Sequence, residues 1–447
     1  MKRKVNFQCI VFFLLAVLII TTISCSHSTV IKTESKNGKE CYVKTTGLFK
    51  KLDRIPQIVS IKPISLDSSF KEGWEVFFKQ PIDHEDREKG YFTQQVFIGH
   101  KNYNKPVVFV TAGYSVAKFG KRELADILDA NQIIVEHRYF EDSQPEKMDW
   151  KYMNTEQAAA DHHAILQTLK KIYQGKWVNT GISKGGTTTM LFKSYYPDDV
   201  DATVAYVAPL NYSQADPRIN EFFTNVGTEE ERRKLRDYQK NILMNKDELV
   251  PRFKWFCKGK GYEFSYGSYE VALEYAVLEF PYIYWQWGGI ELDSANLYST
   301  NPDSLLEPLT SSDAIKWYTD ETLREPSMYQ FATQLGYYGK LEEGLAYESL
   351  FSEEDYPYPF FAGDTTLIYN PEPMARLQKW LNKNGNNIIY INGGEDPWGA
   401  TGVEISENVN AIKKVLSDGD HSTRIKDLNE ADKEEVISTL KKWLELY

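Results

Sequence analysis

The chain has 447 residues, 42% of them hydrophobic and 26% charged, enough for one large buried core with an inserted subdomain. Its net charge of −11 argues against nucleic acid as a partner, because phosphate binding needs a basic face and no basic cluster is evident. Aromatic residues make up 14%, a share that suits either a large aromatic core or the lining of a binding cleft.

Residues 1–25 read as an export segment outside the fold. Met1-Lys2-Arg3-Lys4 is a basic start, and Ile10 to Ile20 is an apolar run too short for a comfortable membrane span. Ser24-Cys25 resembles a bacterial lipoprotein cleavage site, which would make Cys25 the lipidated first residue. Thr22 departs from the usual aliphatic residue at such a site, so simple secretion and an uncleaved anchor stay open. Residues 26–45, polar and lysine-rich, suggest a tether. The expected location is therefore periplasmic or outer-membrane-anchored, with lipid as the sole membrane contact. Of four cysteines, Cys9 would leave with the signal, so only Cys41 and Cys257 remain for a bridge that an oxidising compartment would permit. No zinc-ligand spacing occurs, and no metal or cofactor is expected.

Trp74 to Lys79 and Tyr91 to Ile98 alternate apolar and polar residues about a charged turn, which predicts an antiparallel pair at a sheet edge. Pro106 to Val110 and Ile133 to Val135 are continuous apolar runs, as strands buried on both faces require. A helix follows, with Asn154 and Gln157 as a capping box and Gly175 as its close. Trp177 to Thr180 predicts another strand, Thr187 to Tyr196 a helix, and Ala202 to Ala208 a further strand. Such alternation predicts an α/β domain with a mostly parallel sheet covered on both faces. Residues 211–370 break the pattern with charged helical stretches such as Glu229 to Lys246 and the aromatic cluster Phe280 to Trp287, as an inserted helical cap would. The α/β domain, 46–210, resumes over 371–447 with a helix at Pro373 to Lys383, a strand at Asn387 to Asn392 and a closing helix at Asn429 to Leu446.

Gly181-Ile182-Ser183-Lys184-Gly185 lies between that strand and helix and fits the Gly-x-Ser-x-Gly nucleophile elbow of α/β-hydrolases. There the triad partners follow in chain order, an acid and then a histidine, each on a loop at the carboxyl edge of the sheet. Asp396 comes straight after a predicted strand, with Glu395 as chief rival and Asp420 as a lesser one. Of seven histidines, His421 alone occupies the last loop before the terminal helix. The expected triad is Ser183, Asp396 and His421. The backbone N–H of Lys184, with one from Gly113 or Tyr114, is expected to hold the oxyanion. The Lys184 side chain could steer a substrate carboxylate or serve as an ordinary solvated or structural lysine.

Glu136 to Phe140 (Glu-His-Arg-Tyr-Phe), Thr180 to Gly186, the run Tyr196 to Pro209, and Asp396-Pro397-Trp398-Gly399-Ala400 together resemble the secreted prolyl tri- and tetrapeptidyl aminopeptidases, a bacterial serine peptidase family. More distantly they are similar to the lysosomal prolyl carboxypeptidase and dipeptidyl peptidase family. The resemblance covers most of residues 70–440 and implies release of short peptides from a free amino terminus, preferably after proline. Its members are typically freely secreted, so a lipoprotein-like start is a departure. The resemblance makes Trp398 a candidate for substrate binding and Glu136 a candidate for the cationic amino terminus; an internal Glu136–Arg138 ion pair is the alternative for the latter. Peptides are the expected partners, and a monomer is expected. A lipase or esterase on the same fold, and a non-catalytic surface binding lipoprotein, are the rival readings.

Overall fold

The computed structural model describes residues 30–34, 40–44, 46–288, 296, 298–338 and 366–446. The expected lipidation site Cys25 and residues 289–295 and 339–365 of the expected cap lie outside them. The chain divides into two compact units, Met1–Lys51 and Leu52–Tyr447.

In the first unit, strands β1 (Val30–Glu34) and β2 (Glu40–Lys44) pair antiparallel, with Val30 opposite Lys44. The composition suggested a featureless tether here. Val30, Ile31, Thr33, Tyr42 and Val43 are residues of high β-propensity, and they outweigh the lysines between them.

The second unit is built on a nine-stranded sheet. Its strands are β3 (Ile58–Pro63), β4 (Glu72–Pro81), β5 (Tyr91–His100), β6 (Val107–Thr111), β7 (Asn131–Val135), β8 (Trp177–Ile182), β9 (Ala202–Tyr206), β10 (Ile388–Gly393) and β11 (Ala411–Leu416). Their spatial order is β11-β10-β9-β8-β6-β7-β5-β4-β3. From β7 to β11 neighbours run parallel, and β5, β4 and β3 add antiparallel. This is an α/β-hydrolase sheet. The expected antiparallel pair is present as β4 and β5, but it is not the edge, because β3 covers β4. β3 and β11 escape the period-two reading because Ser60 and Lys62 in one, and Lys413 and Lys414 in the other, interrupt short apolar runs, as edge strands tolerate.

The alternation of strand side chains sorts the core into two layers. Val108, Val110, Val178, Val204, Ile389 and Ile391 face Leu124 of the helix Glu123–Ile127, Leu128 at its end, and Val436 and Leu440 of the helix Glu430–Trp443. Ala205, Ile388 and Tyr390 point the other way, against Met190 and Leu191 of the helix Lys184–Tyr195 and Leu377 and Leu381 of the helix Glu372–Asn384. Each such burial stabilises by roughly 1.5–3 kcal/mol before chain entropy is charged against it. Asn154 caps the helix Thr155–Lys170 through Gln157 N at 2.9 Å. The reciprocal half of a capping box is missing, because the Gln157 amide is spent on Asp83 Oδ1 and His84 N.

Between β9 and β10 the helices Arg218–Asn225, Glu229–Met244, Lys246–Lys260, Tyr269–Trp287 and Pro302–Ser311 gather about a core of their own. Thr228 and Glu231 form a true capping box at the second of these. Cys257, a free thiol in this core, is pushed up to about 12 by burial.

Candidate active site

The turn from β8 into the helix Lys184–Tyr195 places Ser183 at φ 57° and ψ −129°, a conformation that costs a non-glycine residue of order 1–3 kcal/mol. Crowding accounts for the glycines around it. A Cβ on Gly181 would run into Gly185 O, and one on Gly185 would lie 2.6 Å from Ala112 O. The backbone of the loop after β6 thus presses directly on the start of the helix Lys184–Tyr195. The first N–H groups of that helix have no partner within it, and the helix dipole gives them positive character.

Asp396 follows β10 and is fully buried. Its Oδ1 accepts Trp398 N at 3.1 Å, which caps the turn Pro397–Thr401, and its Oδ2 accepts His421 Nδ1 at 2.8 Å. The rival carboxylates are placed elsewhere. Glu395 is half-buried, and burial pushes its carboxyl up, whereas Asp420 accepts Ser422 N and Oγ. His421 is buried, its N–H donates to Gln286 O at 2.9 Å, and the Trp287 ring meets its imidazole edge-on with centroids 5.3 Å apart. The end of the helix Tyr269–Trp287 therefore roofs the histidine, and Ser183 and His421 line one cleft.

Lys184 is neither a solvated lysine nor a steering group. It is 1% exposed, its Nζ donates to Gly113 O at 2.5 Å, and burial lowers its ammonium to about 7. It fixes the loop that carries Gly113 (φ 78°) and Tyr114. The Tyr114 phenol is raised by burial, and a bond to the Ser183 side chain offsets part of that shift.

Glu136 stands apart from the expectations placed on it. Its Oε1 accepts Val116 N at 2.8 Å and its Oε2 accepts Ser143 Oγ at 2.6 Å, so both oxygens are used inside the wall. Burial raises its carboxyl to about 7. Arg138 pairs with Asp161 instead, at 2.6 and 2.9 Å. The Glu-His-Arg-Tyr run thus holds the wall of the site rather than facing the cleft, because each polar side chain finds an internal partner.

Trp398 lines a second, narrower cavity that shares Ser183, Tyr114, Gln286 and Trp317 with the cleft. Its ring lies 5.1 Å from Tyr337, whose hydroxyl accepts Trp317 Nε1 at 2.6 Å, and Phe331, Leu335 and Met374 complete an apolar lining. Tyr337 is fixed by backbone bonds to Gln214 and Asp216. These cap-side residues carry no sequence motif; only their aromatic character could have drawn attention to them. Among the described residues no cluster suited to a metal occurs.

The family model for PS-10 peptidase S37 matches residues 49–444. The chain belongs to the peptidase S37 family. It is a serine peptidase, and its membership removes the lipase and binding-protein readings. A prolyl tri/tetrapeptidyl aminopeptidase from Streptomyces mobaraensis is 31% identical over 376 residues, 82% of this chain and 79% of that protein. A prolyl carboxy peptidase like protein from Caenorhabditis elegans is 26% identical over 226 residues, 45% of this chain and 39% of that one. Among solved structures, a proline iminopeptidase from Mycobacterium smegmatis matches with a TM-score of 0.40 and 11% identity, covering 83% of this chain and 99% of that chain.

Proposed function

We propose that this S37 peptidase releases tri- or tetrapeptides from free amino termini, preferably after proline. The observation that carries the reading is the His421–Asp396 pair, whose histidine lines one cleft with the strained Ser183, and an aromatic cavity lined by the same serine. Ser183 Oγ attacks the carbonyl carbon of the residue seated in that cavity while His421 takes its proton. Asp396 holds the imidazole and stabilises its charge. The N–H groups of Lys184 and of Gly113 or Tyr114 receive the oxyanion. His421 then protonates the departing amine, an acyl-enzyme forms on Ser183, and water admitted by the same base releases the peptide. A proline ring is flat and apolar, and Trp398, Tyr337 and Phe331 offer faces to it. The cleft needs a carboxylate for the substrate ammonium. Glu325 serves: it lines the cleft, and burial raises its carboxyl, a shift that a bound cation would reverse. We further propose export, with Cys25 lipidated and the enzyme acting as a monomer. A Cys25→Ser chain should leave the membrane fraction, and a native protein already soluble would refute the anchor.

The functional test compares Ala-Ala-Pro chromogenic substrate with its acetylated form. The free amine should win by roughly tenfold to a hundredfold, the scale of one charged hydrogen bond. Equal turnover would contradict the aminopeptidase reading.

A further inference from the structure

The catalytic cleft continues past the serine into a neighbouring cavity, and the two share Ala112, Ile182, Arg122 and Arg424. Arg122 precedes the helix Glu123–Ile127, and Arg424 lies three residues beyond His421. Arg424 Nη1 donates to the carbonyls of His421 and Thr423 at 3.2 and 2.8 Å, so this guanidinium is fixed to the histidine's loop. The Arg122 backbone is tied to Gln132 Oε1 at 2.7 Å, but its Nε is buried with no partner. Glu123 would be the natural counter-ion. Its carboxylate is used instead on the N–H groups of Ile425 and Lys426, at 2.9 and 3.2 Å. Among the described residues, no carboxylate forms an ion pair with either guanidinium. Each arginine is lowered first by burial. The charge of Arg424 adds to the effect on Arg122, whereas Tyr206, Glu123, Asp427 and Asp420 partly offset it for Arg424. Two part-buried like charges without a paired anion are costly, and a planar carboxylate presented to such forks relieves both.

We propose that Arg122 and Arg424 form a carboxylate-binding subsite on the leaving-group side of the catalytic cleft, taking an acidic group of the departing peptide. The assignment rests on the aminopeptidase reading above, in which His421 protonates the departing amine and so faces that side. The carboxylate could be the α-carboxylate of a short substrate or an acidic side chain just after the scissile bond. In either case the enzyme favours short acidic peptide tails in spite of its own net charge of −11.

The test uses the full-length protein and three substrates: Ala-Ala-Pro-Ala-Ala with a free carboxyl end, the same peptide amidated, and amidated Ala-Ala-Pro-Asp-Ala. The free acid, the Asp peptide or both should exceed the amidated parent in kcat/KM by about tenfold, equivalent to about 1.4 kcal/mol. Which one does so names the source of the carboxylate. In Arg122→Gln that ratio should fall towards one, and Arg122→Lys should keep part of it. A wild-type ratio near one for both acids, or a ratio unchanged in Arg122→Gln, overturns the subsite. Failure to cleave any Ala-Ala-Pro peptide overturns the underlying reading instead.

Discussion

The wall of the site and its roof are built on different principles. The wall is set by the sheet and its connections: Ser183 and Lys184 stand at the junction of β8 with its helix, Asp396 three residues past β10, and His421 in the loop between β11 and the terminal helix. The roof comes from one inserted stretch, Gln286 and Trp287, Trp317, Phe331 and Tyr337, which follows no strand-end pattern and is held by side-chain packing and a few backbone bonds. The difference teaches a division of labour. On the function proposed above, the wall would perform the bond chemistry shared by serine hydrolases, and the roof would decide which peptide reaches it.

Substitutions should separate the two. Ser183→Ala and His421→Ala should each lower kcat on the order of 10⁶, and Asp396→Asn about 10⁴, with the fold retained by circular dichroism. A loss under tenfold for any of them would detach that residue from the chemistry. Lys184→Met strips the bond that fixes Gly113 O and should lower kcat by roughly tenfold to a hundredfold with little change in KM, since it acts on the oxyanion loop. An effect confined to KM would place Lys184 with the roof instead. On the roof side, Glu325→Gln should cut the preference for a free over an acetylated amino terminus by about tenfold while an acetylated peptide turns over as before.

How much of this was legible follows from the same division. The elbow, the order of acid and histidine, and the central strands were readable because each is a short-range pattern with a fixed period or spacing. Trp398 could be singled out only because it neighbours Asp396 in a motif. Tyr337 and Phe331 could not, because a long helical insertion has no register that tells which aromatic faces the serine. Glu136 misled for a related reason: its motif made it a candidate for the substrate's amino terminus, with Arg138 as the alternative partner, whereas the fold gave Glu136 to Val116 and Ser143 and Arg138 to Asp161, twenty-three residues on. Arg122 and Arg424 meet only through tertiary structure.

The smallest expected effect tests the wall's rigidity. Burial lifts the Glu136 carboxyl from 4.5 to about 7, so the folded chain binds that proton more tightly than the unfolded one. Its stabilising contribution is complete below about 4.5 and disappears as pH rises through about 7. Wild type should therefore lose roughly 2–5 °C more in Tm between pH 5 and pH 8 than Glu136→Gln does. Parallel curves would show that Glu136 is not the buried acid of this wall.

The division of labour itself is tested most directly on Tyr337→Leu, by measuring two quantities on one preparation. The first is the rate at which a fluorophosphonate labels Ser183, and the second is the kcat/KM ratio of Ala-Ala-Pro to Ala-Ala-Ala chromogenic substrates. A roof that only selects predicts labelling within about threefold of wild type and a proline preference reduced by about tenfold, the scale of one lost aromatic contact. Labelling and peptide turnover falling together, with the proline preference intact, would contradict it.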